Sequence, residues 1–208
     1  MSNTSNEALW HKASTFDELC ELNARFIDGE IDFSPTYGAG SLDDESKPLI
    51  PYLSAFNRAG FLTTCSQPGE DHGHSKQRAF VDGLALKDTA LRIERISLTS
   101  DLYVMSAEPG HYKGCMMPIT IDVFRPHSWA GAASLDDETG IFTEILNFEK
   151  YCTQPTMQEL SRAFEISVID LCWGRTDYLW TQLANELCVM LNPHEGWEAE
   201  DWPFPEKR

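Results

Sequence analysis

The sequence predicts an α/β protein, with α+β as an open alternative, in which a mixed sheet of about five strands is flanked by helices. Short apolar runs rich in β-branched residues alternate with segments of helical periodicity. Proline and glycine separate these segments at most junctions. The chain of 208 residues is 42% apolar and 24% charged, which is typical of a globular protein. We therefore expect a single domain over 1–208.

The elements of the first half are predicted from helix caps, helix stops and β-branched runs. Thr15 and Glu18 form a capping box, and Gly29 is placed to end the helix that follows. The apolar run after Gly60 reads as a strand, and Pro68 ends it because proline has no amide hydrogen to donate. In chain order, we predict an N-terminal arm over 1–14, a helix over 16–28, a loop over 30–40, a helix over 51–59, a strand over 61–65, a polar loop containing His72 and His74, and a strand over 78–86 that is apolar on both faces and therefore central.

The second half ends in the segment with the clearest helical periodicity. Trp180 and Leu183 fall on one stripe of a helix for which Thr176 is the predicted cap. Thr156 and Glu159 form a second predicted capping box. In chain order, we predict a helix over 87–98 capped by Asp88, strands over 102–107 and 119–124, a loop over 127–140 around Trp129, a helix over 141–151 with a strand as the alternative, a short helix over 156–164, a strand over 166–172, the last helix up to 191, and an acidic, aromatic tail over 193–208.

The acidic composition limits the classes of partner. The chain has 33 acidic and 16 basic residues, a net charge of −17. This argues against direct nucleic-acid binding, because a phosphate backbone requires a basic face. The acids suit a well-solvated surface, or alternatively an acidic protein-interaction module such as an inhibitor or nucleic-acid-mimicking decoy. No apolar run approaches the roughly 20 residues of a membrane span, so we expect no membrane contact.

Cysteine usage and the first residues favour a cytoplasmic protein. Residues 1–7 lack the basic start and apolar core of a signal peptide. The six cysteines form no Cys-x-x-Cys pair, so free thiols are favoured over disulfides. The sequence has neither a Gly-x-Gly-x-x-Gly motif nor a phosphate-binding Gly-Lys-Ser/Thr loop, and we predict no cofactor.

Two groups of polar and aromatic residues are predicted to meet at one end of the sheet, where α/β proteins bind ligands. The group at the turn after the first strand is Ser66, Gln67, Gln77 and Arg78. The group between the fifth strand and the last helix is Asp170, Trp173 and Arg175. An arginine fork beside a helix N-terminus binds a carboxylate or phosphate at two points, and an indole stacks on planar rings. We therefore predict a small-molecule site for an anionic ligand such as a nucleotide derivative.

Other roles are open for the same region. Arg78 and Arg175 are also placed to form internal ion pairs with nearby aspartates, which would make them structural. A nucleophile at Cys65 or Ser66 with a loop histidine as base is a weaker hypothesis, because no Gly-x-Ser-x-Gly elbow is present. A metal held by cysteine and histidine side chains is weaker still, since no spacing matches a zinc signature. Whether the protein is an enzyme stays open, and no metal is predicted.

Four motifs also resemble a known family. They are 57–63 (NRAGFLT), 66–69 (SQPG), 77–81 (QRAFV) and 173–180 (WGRTDYLW). In this order they resemble a family of small uncharacterised proteins, found mostly in actinobacteria and described only as a domain of unknown function. Because that family has no assigned activity, the resemblance implies motif boundaries and no mechanism.

Overall fold

The predicted combination of helices and strands is confirmed. The computed structural model describes residues 4–111, 114–124, 127–132, 138–139 and 141–191. The predicted tail over 193–208 lies outside these residues. In the described part, two four-stranded sheets face each other across a small apolar cluster, and helices cover the other face of the first sheet.

The helices follow the capping signals at the beginning of the chain. The helices are α1 (Thr4–Trp10), α2 (Phe16–Ile27), a 3₁₀ helix (Asp44–Leu49), α3 (Ile50–Arg58), α4 (Lys87–Glu94), α5 (Ile96–Thr99), α6 (Thr143–Glu149), α7 (Gln154–Leu160) and α8 (Tyr178–Leu187). The capping box that opens α2 is confirmed: the Thr15 hydroxyl accepts from the Glu18 amide, and the Glu18 carboxylate accepts from the Thr15 amide. Gly29 has a φ of 78°, a conformation that glycine adopts without strain, and it follows α2 as predicted.

The strands form two larger sheets and one short hairpin. The strands are β1 (Phe33–Ser34), β2 (Gly38–Ala39), β3 (Phe61–Gln67), β4 (Glu70–Asp71), β5 (Ser75–Gln77), β6 (Phe80–Ala85), β7 (Leu102–Ala107), β8 (Gly114–Asp122), β9 (Ser128–Ala132) and β10 (Phe164–Asp170). The first sheet has the order β3-β6-β10-β7, and the second has the order β4-β5-β8-β9. Strand β6 lies between β3 and β10, which confirms its predicted central position.

The sheets differ from the single mixed sheet of about five strands that the sequence predicts. Every strand pair in the described ranges is antiparallel. Strands β6 and β7, joined by α4 and α5, run in the same direction because both are antiparallel to β10. Strand β10, which comes from much later in the chain, lies between them. Strands β6 and β7 are therefore parallel but not adjacent, and with their connecting helices they form a split β-α-β unit.

Two segments predicted as loops contain strands of the second sheet. Strands β4 and β5 pair within the polar segment that contains His72 and His74. Strand β9 lies within 127–140, where Trp129 pairs with Pro118 of β8. Strand β5 also pairs with β8, which is distant in sequence, and β8 in turn pairs with β9. The local composition of the two segments carries no signal for these pairings.

The second predicted capping box is wrong. Helix α7 begins two residues before Thr156, with Thr153 at its N-cap position. The Thr156 hydroxyl instead donates to the carbonyl oxygen of Ala13 at 2.7 Å, and the Glu159 carboxylate accepts from the amide of Phe16 at 2.6 Å. These two side chains connect α7 to the start of α2, a long-range contact that the pattern Thr-x-x-Glu does not distinguish from a local cap.

Two other predicted caps also differ. The N-cap position of α4 is Leu86 rather than Asp88, and that of α8 is Asp177 rather than Thr176; neither makes a side-chain capping bond. Cys188, with a φ of 55°, ends α8 earlier than predicted.

The main core lies between the first sheet and the helices. Trp10 and Trp180 are fully buried in it. Phe80 and Ile169 belong instead to the small cluster between the two sheets. No helix among the residues described above is long and apolar enough to cross a membrane.

Candidate functional site

The turn after β3 and the turn after β10 meet at the same end of the first sheet, as the sequence predicts. The amide of Gly174 donates to the carbonyl oxygen of Gln77 at 2.9 Å. A Cβ atom on Gly69 would lie only 2.2 Å from the carbonyl oxygen of Arg175. The two backbones are therefore in direct contact, which only glycine permits at this position.

Arg175 is bound by carboxylates of its own chain. Its Nε and Nη2 each lie 2.6 Å from an oxygen of Asp170, which is fully buried. Nη1 and Nη2 also donate to Asp101 at 3.2 Å, and the guanidinium carbon lies 3.7 Å from the ring centre of Tyr178. Asp170 further accepts from the amide of Cys172 at 2.8 Å. The predicted fork of Arg175 thus faces internal acids, and these contacts hold the turn before α8 in place.

Arg78 has a different environment, with no carboxylate among its hydrogen-bond partners in the described part of the chain. Its guanidinium carbon lies 4.1 Å from the ring centre of Trp173, and Nη1 donates to the carbonyl oxygen of Pro118 at 3.1 Å. Its Nε and the side-chain oxygen of Gln77 are buried and have no partner within the described residues. Burial lowers the pKa of the Arg78 guanidinium. Arg78, Gln77 and Trp173 therefore form a small group with unused hydrogen-bonding capacity.

Gln67 joins the two sheets. Its Nε2 donates to the carbonyl oxygens of Arg78 at 3.1 Å and Ile119 at 3.3 Å, and its Oε1 accepts from the Thr120 hydroxyl at 3.2 Å. The side chain is almost fully buried. Its neighbour Ser66 is half-buried.

A cavity of about 410 Å³ opens beside these two residues. Ser66 and Gln67 line it, whereas the other five predicted site residues do not. The side chains that the sequence did not single out include an acid from the middle of β6, Asp82, and two aromatic residues, Tyr37 and Trp129. The one available signal for the acid was its position within an apolar central strand, where an unpaired carboxyl group is costly.

Asp82 belongs to a group of three acids that face one another from different elements. Glu144 of α6 and Glu165 of β10 are the other two members. Burial raises the pKa of Asp82 to about 7, and Glu144 adds to this rise while the Ser167 hydroxyl opposes it. Burial, together with Glu144 and Asp82, raises the pKa of Glu165 to about 8. Oδ1 of Asp82 and Oε2 of Glu165 are buried and unpartnered in the described structure. Asp82 and Glu165 are therefore partly protonated and partly ionised near neutral pH.

The alternatives based on cysteine and histidine gain no support from the geometry. Part of Cys65 is exposed, but desolvation by the surrounding protein, with Asp82 and Glu144 nearby, raises the pKa of its thiol to about 11, so the thiol is not an activated nucleophile at neutral pH. His72 is engaged by Glu70, with its Nε2 2.6 Å from the carboxylate. Among the residues with described positions, no group of three or more His, Cys, Asp or Glu is arranged to hold a metal ion.

Comparison with known protein families identifies a match that covers most of the chain. A family described as a domain of unknown function (DUF6919) matches residues 5–190. No curated protein matches the chain. The matched region contains both turns and all residues that line the cavity.

Proposed function

The chain belongs to the DUF6919 family, whose function is unknown, and we propose that it binds a small molecule in the cavity beside Ser66 and Gln67. The observation that carries this proposal is a cavity of about 410 Å³ whose wall includes the carboxyl group of Asp82. Ligand pockets have volumes of about 300–1,000 Å³ and combine apolar walls with a few polar groups. Phe80 and Ile119 supply apolar surface here.

A second cavity, of about 580 Å³, is a less suitable site. It lies along β7, α4 and α5, and its wall includes Leu91, Leu98 and Arg95. Leu98 is 82% exposed, and Arg95 is already paired with Glu186 at 2.8 Å. The wall beside Ser66 instead brings together polar groups from β3, β6 and the 3₁₀ helix, which favours that cavity as the binding site.

An anionic, nucleotide-like ligand is a second candidate, and it would bind outside the cavity. No lysine or arginine is among the described residues that line the cavity, so a phosphate would face acids there. Arg78 supports a neighbouring anion site, because it stacks on Trp173 and its Nε has no partner among the described atoms. Loss of nucleotide binding in Arg78→Gln would identify this site.

The alternative function is an acidic protein-interaction module, such as an inhibitor or decoy. Asp43, Asp44 and Glu45 are consecutive exposed acids that support it. Such a module would associate with a basic partner in a way that weakens steeply with added salt and does not depend on the cavity.

We also propose a cytoplasmic location. The five cysteines whose side chains the structure describes, Cys20, Cys65, Cys152, Cys172 and Cys188, are free thiols, as is usual in reducing compartments.

A thermal-shift screen with nucleotides, neutral sugars and amines tests the binding proposal, because a ligand of the folded state raises its stability. We compare the wild type with Ser66→Phe, which fills the cavity, and with Ser97→Phe, the matched change in the second cavity. The proposal expects a ligand whose stabilising effect disappears only in Ser66→Phe. Ligands that respond only to Ser97→Phe or to Arg78→Gln, or a screen without any hit, would contradict it.

A further inference from the structure

We infer that the cavity binds a positively charged ligand group, an amine or a quaternary ammonium, between the carboxyl group of Asp82 and the indole ring of Trp129. This inference rests on the proposed function, since it names the ligand class of the same cavity. It follows from the charge of the wall, from its aromatic side chains and from two buried polar atoms without partners.

The charge of the cavity wall has one sign. Asp43, Glu45 and Asp82 line the cavity, and no lysine, arginine or histidine does so among the residues that the structure describes. Asp43 and Glu45 are exposed, whereas Asp82 is half-buried. A cation therefore gains favourable electrostatic energy at the entrance and again at the inner carboxyl group, where screening by water is weaker.

Aromatic side chains supply the second feature of an ammonium site. Trp129 is 52% exposed although it is a large apolar residue, and it forms part of the cavity wall. The faces of tryptophan rings attract cations, and aromatic walls are used to recognise quaternary ammonium groups. Tyr37 contributes differently: its ring stacks on Phe26 with 5.6 Å between ring centres. Its hydroxyl is thus the group that it can offer to a ligand.

Two buried polar atoms have no hydrogen bond of normal geometry to the described residues, and a ligand of this class could supply one. Oδ1 of Asp82 is buried and forms no hydrogen bond within the described part of the chain. The hydroxyl of Tyr37 is buried beside the Thr63 side chain, without a hydrogen bond of normal geometry. Both residues line the cavity. An unmade hydrogen bond at a buried polar atom is unfavourable, so a donor such as the N–H of a protonated amine or the hydroxyl of choline would relieve the cost.

Binding of a cation should be linked to release of a proton. The groups that face Asp82 are Cys65 from β3, Glu165 from β10, Glu144 from α6 and Tyr37 from the segment before the 3₁₀ helix. None of these supplies a positive charge. Burial raises the pKa of Asp82 to about 7, and the ionised form is the one that attracts a cation. Binding should therefore strengthen as the pH rises through 7.

The test uses choline and its neutral isostere 3,3-dimethyl-1-butanol, in which carbon replaces the nitrogen. Both are titrated into ¹⁵N-labelled protein, and the amide signals of residues 64–67 are followed. We expect choline to shift these signals with at least tenfold higher affinity than the isostere. Its affinity should be about tenfold higher at pH 8 than at pH 6, given a group that titrates near 7. Asp82→Asn should reduce choline binding to the level of the isostere, whereas Asp88→Asn, an exposed acid on α4, should leave it unchanged.

The outcomes separate this inference from the proposed function. Equal affinities of the wild-type protein for choline and for the isostere would overturn the inference and leave the cavity as a ligand site. This comparison requires no variant. A ligand that is lost in Ser66→Phe but is neither an amine nor an ammonium compound would do the same. If the thermal-shift screen also yields no ligand that Ser66→Phe abolishes, the proposed function itself is wrong.

Discussion

Arg175 and Asp170 form a two-point ion pair, in which Nε and Nη2 of the arginine each lie 2.6 Å from one carboxylate oxygen. The pair joins the end of β10 to the turn before α8. Asp170 is fully buried, and the side chain of Arg175 is 26% exposed. The guanidinium of Arg175, which the sequence suggests as an anion-binding group, thus binds a carboxylate of the same chain.

We predict that Arg175→Met lowers the free energy of unfolding by about 3–5 kcal/mol, because it leaves the Asp170 carboxylate buried without its partner. Urea denaturation measures this change. Asp101→Asn is the control, since it weakens only exposed contacts, the longer ones of Asp101 with Arg175 and its hydrogen bond with Tyr178. It should cost much less, and comparable losses in the two variants would contradict the structural role of the buried pair.

Gly69→Ala should separate the two turns. The added Cβ would lie 2.2 Å from the carbonyl oxygen of Arg175, and backbone atoms cannot rotate away. We expect a loss of stability of about 3 kcal/mol, the upper part of the usual range for overpacking.

Gly73→Ala is the matched control for this prediction. Gly73 has a φ of 79°, and no atom lies within 4 Å of the position that an added Cβ would take, so the change should cost only backbone strain, about 1 kcal/mol. Thermal and urea unfolding compare the two variants. A smaller loss for Gly69→Ala than for Gly73→Ala would show that the turns are not in close contact.

Asp82→Asn should change how stability depends on pH. Burial raises the pKa of Asp82 from 3.8 to about 7, so the folded protein binds this proton more tightly than the unfolded chain does. The stability from that proton is present in full below about pH 4 and is lost as the pH rises to about 7. Asparagine does not titrate, so the stability of the variant relative to wild type should increase between pH 4 and 7 and then level off.

The pH prediction is checked by urea unfolding of both proteins at pH 5, 6, 7 and 8. Asp88→Asn, at an exposed position on α4, controls for the loss of one acid from the chain. A difference between wild type and Asp82→Asn that stays constant over this range would disprove the raised pKa.

Asn57→Ala should break a buried polar network below the site. Asn57 Oδ1 accepts from Asn23 at 3.0 Å and from the Thr63 amide at 3.1 Å, and its Nδ2 donates to the Leu53 carbonyl oxygen and the Thr63 hydroxyl at 2.8 Å. We expect a loss of about 3 kcal/mol, because several buried groups lose their partners together. In a double-mutant cycle, the loss of stability in the double variant Asn23→Ala/Asn57→Ala should be smaller than the sum of the two single losses. Strict additivity would argue against a connected network.

Features that depend on neighbouring residues can be predicted from the amino-acid sequence. The capping box at Thr15 and Glu18 specifies the start of α2, and the apolar strand after Ala79 specifies a central position. The two turns after β3 and β10 were also expected to meet, since each follows a strand that the apolar pattern places in the sheet. In these cases the interaction that matters is local, or it depends only on which segments are buried.

The way these segments combine depends on contacts that form only in the folded protein. In the folded protein β10 lies between β6 and β7 and pairs antiparallel with both. Arg175 forms ion pairs with Asp170 and Asp101. The fold also places Asp82 and Trp129 on the wall of one cavity although they are far apart in the chain. Which charge meets which carboxylate, and which polar atom is left without a partner, depends on contacts between distant residues. Local composition and periodicity do not specify those contacts.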